Sequence, residues 1–471
     1  MTLLSALRRR SGTGSGDEFD RSLLAPMVLG AVLNPVNSSI IAVSLIPIGV
    51  ALGAPPSATA WLVSALYLAT SVGQPVVGRL IDRYGPRRLF LGATALVGVA
   101  GIIGTTAPNL PVLVVARVLL GFGTCAGYPA AMHLIRGEAR RTGRDSPAGV
   151  LTLLAVSGQT IAVIGPPLGG VLIGLGGWRT TFAVNIPLAL VAFVLAALRL
   201  PREPVRESVD DADRPGRLDV AGILLFAGML VALLLFLMNP RLDHWYLLAV
   251  SAGTGAAFAV RELRAGEPFL DLRVLGGNPA LLVTYGRTLL AYLVSYTFLY
   301  GYTQWLQDGR GLSATHAGLL QLPLFATGIL VSLATGRRGG LRGKLVAGAI
   351  GQLAGCALLV LLVRASPIWL LVVVALVFGV PQGLNSLALQ NSVYHQADAD
   401  RIGASAGLQR TFVYLGAMVA AAAQGAIYGS AADTGGLHGL AELMLVAGAL
   451  FLVVTVVDRS LRGLGRAGAT R

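Results

Sequence analysis

Between two long apolar runs the chain reads Gly78-Arg79-Leu80-Ile81-Asp82-Arg83-Tyr84-Gly85-Pro86-Arg87-Arg88. Gly85-Pro86 predicts a tight reversal, because glycine reaches backbone conformations closed to other residues and proline suits the first turn of a helix. Gly78 permits close approach of a neighbouring helix. Asp82 stands among arginines, where it can pair with one of them or with a helix N-terminus. Scattered charge of this kind would only mark one side of a membrane. The ordered pattern G-x-x-x-D-R-x-G-x-R-R carries more information.

The apolar runs on either side set the class. The chain has 471 residues, 55% of them hydrophobic and 12% charged, with a mean hydropathy of +0.73. Soluble domains carry about 25% charged residues. Hydropathy predicts an all-α polytopic membrane protein of fourteen spans. A six-helix bundle over 23–199 comprises 23–50, 58–80, 88–107, 111–134, 148–175 and 179–199. Two additional helices, 218–238 and 245–261, occupy 218–261. A second six-helix bundle over 279–457 comprises 279–305, 314–335, 343–363, 367–393, 404–430 and 436–457. The segment 1–22, the linkers 200–217 and 262–278 and the tail 458–471 are expected to be cytosolic. The linker 262–278 mixes Phe269, Leu270 and Leu272 with charges, so a short helix at the membrane surface is one reading of it and a loop folded on the bundle another.

The net charge of +14 does not point to nucleic acid. Basic residues do not alternate with aromatics, as a single-strand binding surface would require. Only Arg179, Arg241, Arg310 and Arg364 fall in loops on one side, and Arg117, Arg287 and Arg410 fall within spans. The other positive charges gather on the opposite side, which becomes cytosolic by the positive-inside pattern, with both termini there. Cys125 and Cys356 lie inside apolar segments and form no disulfide or zinc framework. No phosphate-binding loop, H-E-x-x-H spacing or converging set of acids and bases is present, so an enzyme is not expected.

Two further patterns lie inside spans. Span four carries Arg117 in V-V-A-R-V-L-L-G-F-G, and an arginine so placed must face protein or water. Span five carries Gly158, Gly165, Pro166, Gly169 and Gly170, which together offer a flat face and a proline-induced bend. A weaker copy of the first loop, Gly336-Arg337-Arg338-Gly339-Gly340-Leu341-Arg342, follows span ten. In register, these motifs resemble those of the major facilitator superfamily. The fourteen spans, Glu267-Pro268-Phe269-Leu270-Asp271-Leu272-Arg273 and Gly403-Ala404-Ser405-Ala406-Gly407 are similar to its drug:proton antiporter branch.

That resemblance implies a secondary exporter of small amphipathic compounds in the bacterial inner membrane, working by alternating access without a bound cofactor and driven by the proton gradient. Gly78, Asp82, Arg83, Gly85, Arg87 and Arg88 would be its conformational-switch loop, Arg117 its proton-coupling candidate, and the span-five residues its antiporter motif. An uncoupled facilitator or importer is the alternative, and a membrane sensor a more distant one. The chain departs from the branch in span one, where Asn37 stands in place of an aspartate and cannot titrate.

Other acids are scarce. Asp219, Asp308 and Glu442 lie at span ends, and no deep acid is available to Arg117, Arg287 or Arg410. His133 and His395 lie near inner helix ends. The cavity is therefore expected to favour neutral or anionic compounds. Its candidate lining comprises Asn34, Asn37, Gln159, Arg287, Tyr292, Tyr296, Gln382 and Arg410, with Tyr292, Tyr296 and Tyr300 sharing one helix face.

Overall fold

The computed structural model describes residues 19–54, 56–59, 61–142, 148–201, 219–238, 241–266, 268–270, 272–312, 314–336, 340–428 and 432–461. The N-terminal segment to residue 18, linker residues 202–218, Glu267, Asp271, Arg337–Gly339 and the tail beyond 461 lie outside them.

The first half contains α1 (Leu24–Leu52), α2 (Trp61–Tyr84), α3 (Pro86–Thr106), α4 (Leu110–Thr124), α5 (Gly127–Thr142), α6 (Ala148–Gly176) and α7 (Asn185–Arg199), with α4 and α5 forming one interrupted run. The central pair is α8 (Val220–Met238) and α9 (Trp245–Arg264). The second half contains α10 (Pro279–Tyr296), α11 (Ala314–Gly336), α12 (Leu341–Val360), α13 (Ile368–Gln396), α14 (Ile402–Tyr428) and α15 (Thr434–Val457).

Helix starts follow local chemistry. Asn109, Asn278 and Asp433 each cap a helix by accepting a backbone N–H with the side chain. Gly85 takes φ 81° immediately before Pro86, so the expected reversal is made by the expected residues. Gly340, with φ 87°, opens α12 at the corresponding place in the second half.

The halves repeat one packing scheme. In the first, α1 packs on α6, α2 on α4, and α3 on both α4 and α7. In the second, α10 packs on α14, α11 on α13, and α12 on both α13 and α15. Each half thus pairs its first span with its fifth, its second with its fourth, and its third with its fourth and sixth. The seams between halves are reciprocal: α2 packs on α14, and α6 packs on α11. The pair α8–α9 packs together, and α8 also touches both α2 and α14.

Ten described helical segments are long and apolar enough to cross a membrane, or eleven if the bent pair Gly149–Gly165 and Leu168–Gly176 counts as one. The fourteen spans expected from the sequence are reached only if three further helices cross as well. Segments α2, α9 and α10 fall outside that set. The reason is visible in α2, which buries Thr70, Ser71 and Gln74 between the halves and ends on Arg79, Asp82 and Arg83. A helix enclosed by protein need not be apolar on every side. Helices facing outward expose large apolar side chains, such as Leu175 and Leu198, each more than 70% open.

Candidate transport site and gate

Asp82 ends α2 with its side chain 2% exposed. Its Oδ1 accepts the Gly403 N–H at 2.9 Å and its Oδ2 accepts the Ala404 N–H at 2.8 Å. These amides open α14, so the carboxylate of one half caps a helix of the other, where the helix dipole favours negative charge. His133 of α5 meets the same Oδ1 through Nδ1 at 3.2 Å. The approach depends on missing side chains. A Cβ on Gly78 would lie 2.3 Å from the Gly403 carbonyl oxygen, and one on Gly407 would lie 2.4 Å from that of Gln74.

The rest of the loop serves its own half. Arg87 donates to the Ala197 carbonyl at 2.8 Å, Arg83 lies 5.4 Å from the Tyr84 ring centroid, and Arg88 is exposed. Asp82→Asn should therefore act on the gate. The amide keeps one acceptor and loses the charge, costing the closed seam about 2 kcal/mol. The expected outcome is at least a tenfold loss of transport with unchanged thermal stability, checked by flux and melting of the purified protein.

Arg117 is 2% exposed. Its Nε donates to the Leu62 carbonyl at 2.7 Å and its Nη1 to the Asn37 carbonyl at 3.1 Å, while Nη2 has no partner. Asn37 also donates from Nδ2 to Asn185 Oδ1 at 2.7 Å. The fold thus brings together the span-four arginine and the residue standing in for a span-one acid.

In α6 the motif residues divide. Gly165 lies against Ser39 of α1, where a Cβ would collide with Oγ, whereas a Cβ on Gly158 or Gly170 would meet nothing. Gly169 is buried. The axis turns by 44° between Gly149–Gly165 and Leu168–Gly176, across Pro166.

Polar and aromatic side chains from both halves meet between the seams. Gln159 Nε2 donates to Ser332 Oγ at 3.3 Å across the α6–α11 seam and its Oε1 is unpartnered; a Cβ on Gly328 would meet that Oε1 at 2.9 Å and Gln382 Cγ at 3.5 Å. Tyr414 OH donates to Asn34 Oδ1 at 3.3 Å, and Tyr128 OH to Gln409 Oε1 at 3.1 Å. The rings of Tyr292, Tyr296 and Tyr300 follow one another at 6.1 and 5.6 Å. Tyr67 stands 5.6 Å from Tyr414 and reaches the Tyr300 hydroxyl at 3.5 Å. Beyond Tyr296 the helix widens into π turns over Thr297–Tyr302 and Trp305–Gly309, a distortion common at functional sites.

The three arginines that the sequence places within spans have different surroundings. Arg287 is fully buried and paired with Asp458 at 2.5 Å, which supplies the acid the sequence did not reveal. Arg410 is partly open, lies 4.1 Å over the Tyr128 ring, and has Tyr292, Tyr414 and Tyr296 within electrostatic reach. Among the described residues no carboxylate pairs with it.

Sequence reasoning missed Asp458, Tyr67, Tyr128 and Tyr414. It quoted Gly403 and Gly407 without a partner; their four-residue spacing is a small-xxx-small pattern, which signals close helix approach.

Two similarly packed helical bundles, reciprocal seams and a polar centre inside apolar walls define a multi-pass membrane transporter rather than an enzyme. The Major Facilitator Superfamily profile matches residues 27–421, and the chain belongs to that superfamily. It is 31% identical over 441 residues to the uncharacterized MFS-type transporter YwoD of Bacillus subtilis (strain 168), covering 92% of this chain and 96% of that protein. It is also 31% identical over 481 residues to the lincomycin resistance protein of Streptomyces lincolnensis, covering 97% of each. Among solved structures, the human organic anion transporter MFSD10 (TETRAN) superposes with a TM-score of 0.63 at 15% identity, over 93% of this chain and all of that one. A small-molecule substrate and a lipid environment follow from membership.

Proposed function

We propose that this chain exports small amphipathic compounds across the bacterial inner membrane by proton antiport and alternating access. On this reading it has fourteen spans with both termini cytosolic, the polar helices α2, α9 and α10 included, and belongs to the drug:proton antiporter branch. The observation that carries it is the Asp82 carboxylate seated on the α14 N-terminus. That contact closes one end of the α2–α14 seam and must break whenever the halves part there, as rocking about a central site requires. The resistance named in the lincomycin relative supports export.

Neutral or anionic substrates are favoured. Arg410 brings an uncompensated cation beside Tyr128, Tyr292, Tyr296 and Tyr414, whereas Arg117 and Arg287 are occupied by carbonyls and by Asp458. Aromatic rings add stacking surface for planar compounds. Arg410→Ala should cut transport of an anionic dye at least tenfold and change that of a neutral analogue less than threefold. An equal loss for both would remove Arg410 from charge selection.

The deciding experiment is substrate-induced proton movement in proteoliposomes containing the full-length protein. Antiport requires proton flux opposite to substrate flux. Substrate flux without it favours the second reading, an uncoupled facilitator. Asn37 supports that alternative, because its side chain cannot titrate and Arg117 reaches only its main-chain carbonyl.

A further inference from the structure

A carboxyl pair outside the transport route stands at the end of the central helices nearest Asp82. Asp219 precedes α8 and is 8% exposed, and Glu262 lies in the last turn of α9 and is fully buried. Asp219 Oδ1 accepts the Gly222 N–H at 2.9 Å and Arg261 Nε at 2.7 Å. Glu262 Oε2 accepts the Leu270 N–H at 2.8 Å. The other two oxygens, Asp219 Oδ2 and Glu262 Oε1, find no donor. They converge over Gly222, whose missing Cβ would lie 2.4 and 2.3 Å from them, so the two carboxyl groups face each other across the space that a side chain there would fill. Neither carboxylate has a hydrogen to give, so two such oxygens can bond only through an added proton. Arg261 supplies one positive charge for two acids, which leaves the second acid to be neutralised by that proton.

The segment held by Glu262 lies across the gate. Phe269 is buried, its ring centroid lies 5.5 Å from that of Phe226 of α8 with the planes tilted by 59°, and with Leu270 it lines a pocket shared with Arg79 of α2 and with Ala404 and Leu408 of α14. These helices form the seam that Asp82 closes. We infer that Asp219 and Glu262 bind one proton between them, and that this proton fastens the Phe269–Leu270 strap across the seam. Loss of the proton frees it. The site is a receptor for the proton of the compartment facing Asp82, which is the cytosol on the topology proposed above.

Opposing effects act on Glu262: burial and the neighbouring Asp219 favour the protonated form, the Leu270 N–H and Arg261 the ionised one, and burial prevails. Burial pushes the Glu262 carboxyl up to about 7. Burial also acts to raise Asp219, but Arg261 and the Gly222 amide outweigh it and hold that carboxyl below the usual range. Other charges nearby are already engaged or distant. Arg273 donates to the Leu263 carbonyl, Arg264 is exposed, and Arg79, Asp398 and Arg401 line the far side of the pocket. The folded arrangement binds the proton more tightly than an exposed glutamate does. Raising the pH from the ordinary carboxylate range through about 7 therefore weakens the fastened strap.

The test uses the full-length protein in nanodiscs without substrate, so its result is independent of whether the protein exports anything. Infrared difference spectra between pH 6 and pH 8 should show loss of a protonated carboxyl band, absent in Glu262→Gln. Hydrogen exchange at the Leu270 amide, corrected for its intrinsic pH dependence, should be about tenfold faster at pH 8 in the wild type. In Glu262→Gln it should be slow at both values, because the amide needs no proton to remain neutral. Gly222→Ala should make it fast at both by displacing the pair. A wild type without the carboxyl band, or a Glu262→Gln variant that keeps the pH dependence of Leu270, would overturn the inference.

Discussion

Gly78→Val is expected to lower transport by a hundredfold or more while leaving each half folded. The main chains of α2 and α14 meet here without intervening side chains. A Cβ at residue 78 would lie 2.3 Å from the Gly403 oxygen, 2.8 Å from its carbonyl carbon and 3.0 Å from the Ala404 Cα. These are backbone atoms, so no rotamer change relieves the collision, and packed surfaces yield by separating. The two hydrogen bonds from Asp82 to the α14 N-terminus are lost with the separation. The contacts that hold each half together, such as α1 on α6 and α10 on α14, do not pass through this point. The protein should accumulate with its Asp82 end open. Flux in vesicles reads the loss, and maleimide labelling of Leu408→Cys from the cytosolic side reads the opening, in a background free of Cys125 and Cys356. Wild-type flux in this variant would show that the seam need not close during transport.

The second large effect concerns stability. Asp458→Asn should destabilise the fold by about 3 kcal/mol, because a charged partner is removed from a buried ion pair. Arg287 is fully buried, and beyond Asp458 it donates only to Thr284 Oγ1 at 3.1 Å and the Val283 carbonyl at 3.3 Å, with Nη1 unpartnered. Arg287→Ala should cost less, since the orphaned Asp458 side chain is 13% exposed and regains some solvent. The double variant should be less destabilised than the sum of the two, since residues of one pair are not additive. Thermal or denaturant unfolding in detergent checks all three. Additive losses would argue against the pair. An Arg287→Ala protein of normal stability and altered substrate charge preference would put Arg287 in contact with substrate instead.

The two arginines show where sequence reasoning stops. Arg287 and Arg410 are indistinguishable by hydropathy, since each is a lone cation in an apolar helix. One lies against an acid 171 residues away, and the other over a tyrosine ring of the opposite half. Hydropathy says that a helix leaves water, but lipid and protein interior are equally apolar, so it does not say which face meets which neighbour. The same limit explains α2. Its Thr70, Ser71 and Gln74 lower its hydropathy because the helix lies between two halves of protein, not because it lies in water.

The local chemistry of single residues was determined by the sequence itself. The all-helical class, the reversal at Gly85-Pro86, the burial of Arg117 and the family all follow from residue types at fixed short spacings. Backbone conformation and solvation act there over one or two helical turns. Tertiary structure alone decided that Asp82 binds the N-terminus of a helix 321 residues further on, that Asp458 neutralises Arg287, and that Asp219 faces Glu262. Each of these is a charged group meeting another only after separate helices have packed. No local pattern encodes that meeting, because its geometry is fixed where missing side chains let the groups approach: at Gly78, Gly403 and Gly407 in the seam, and at Gly222 beneath the carboxyl pair.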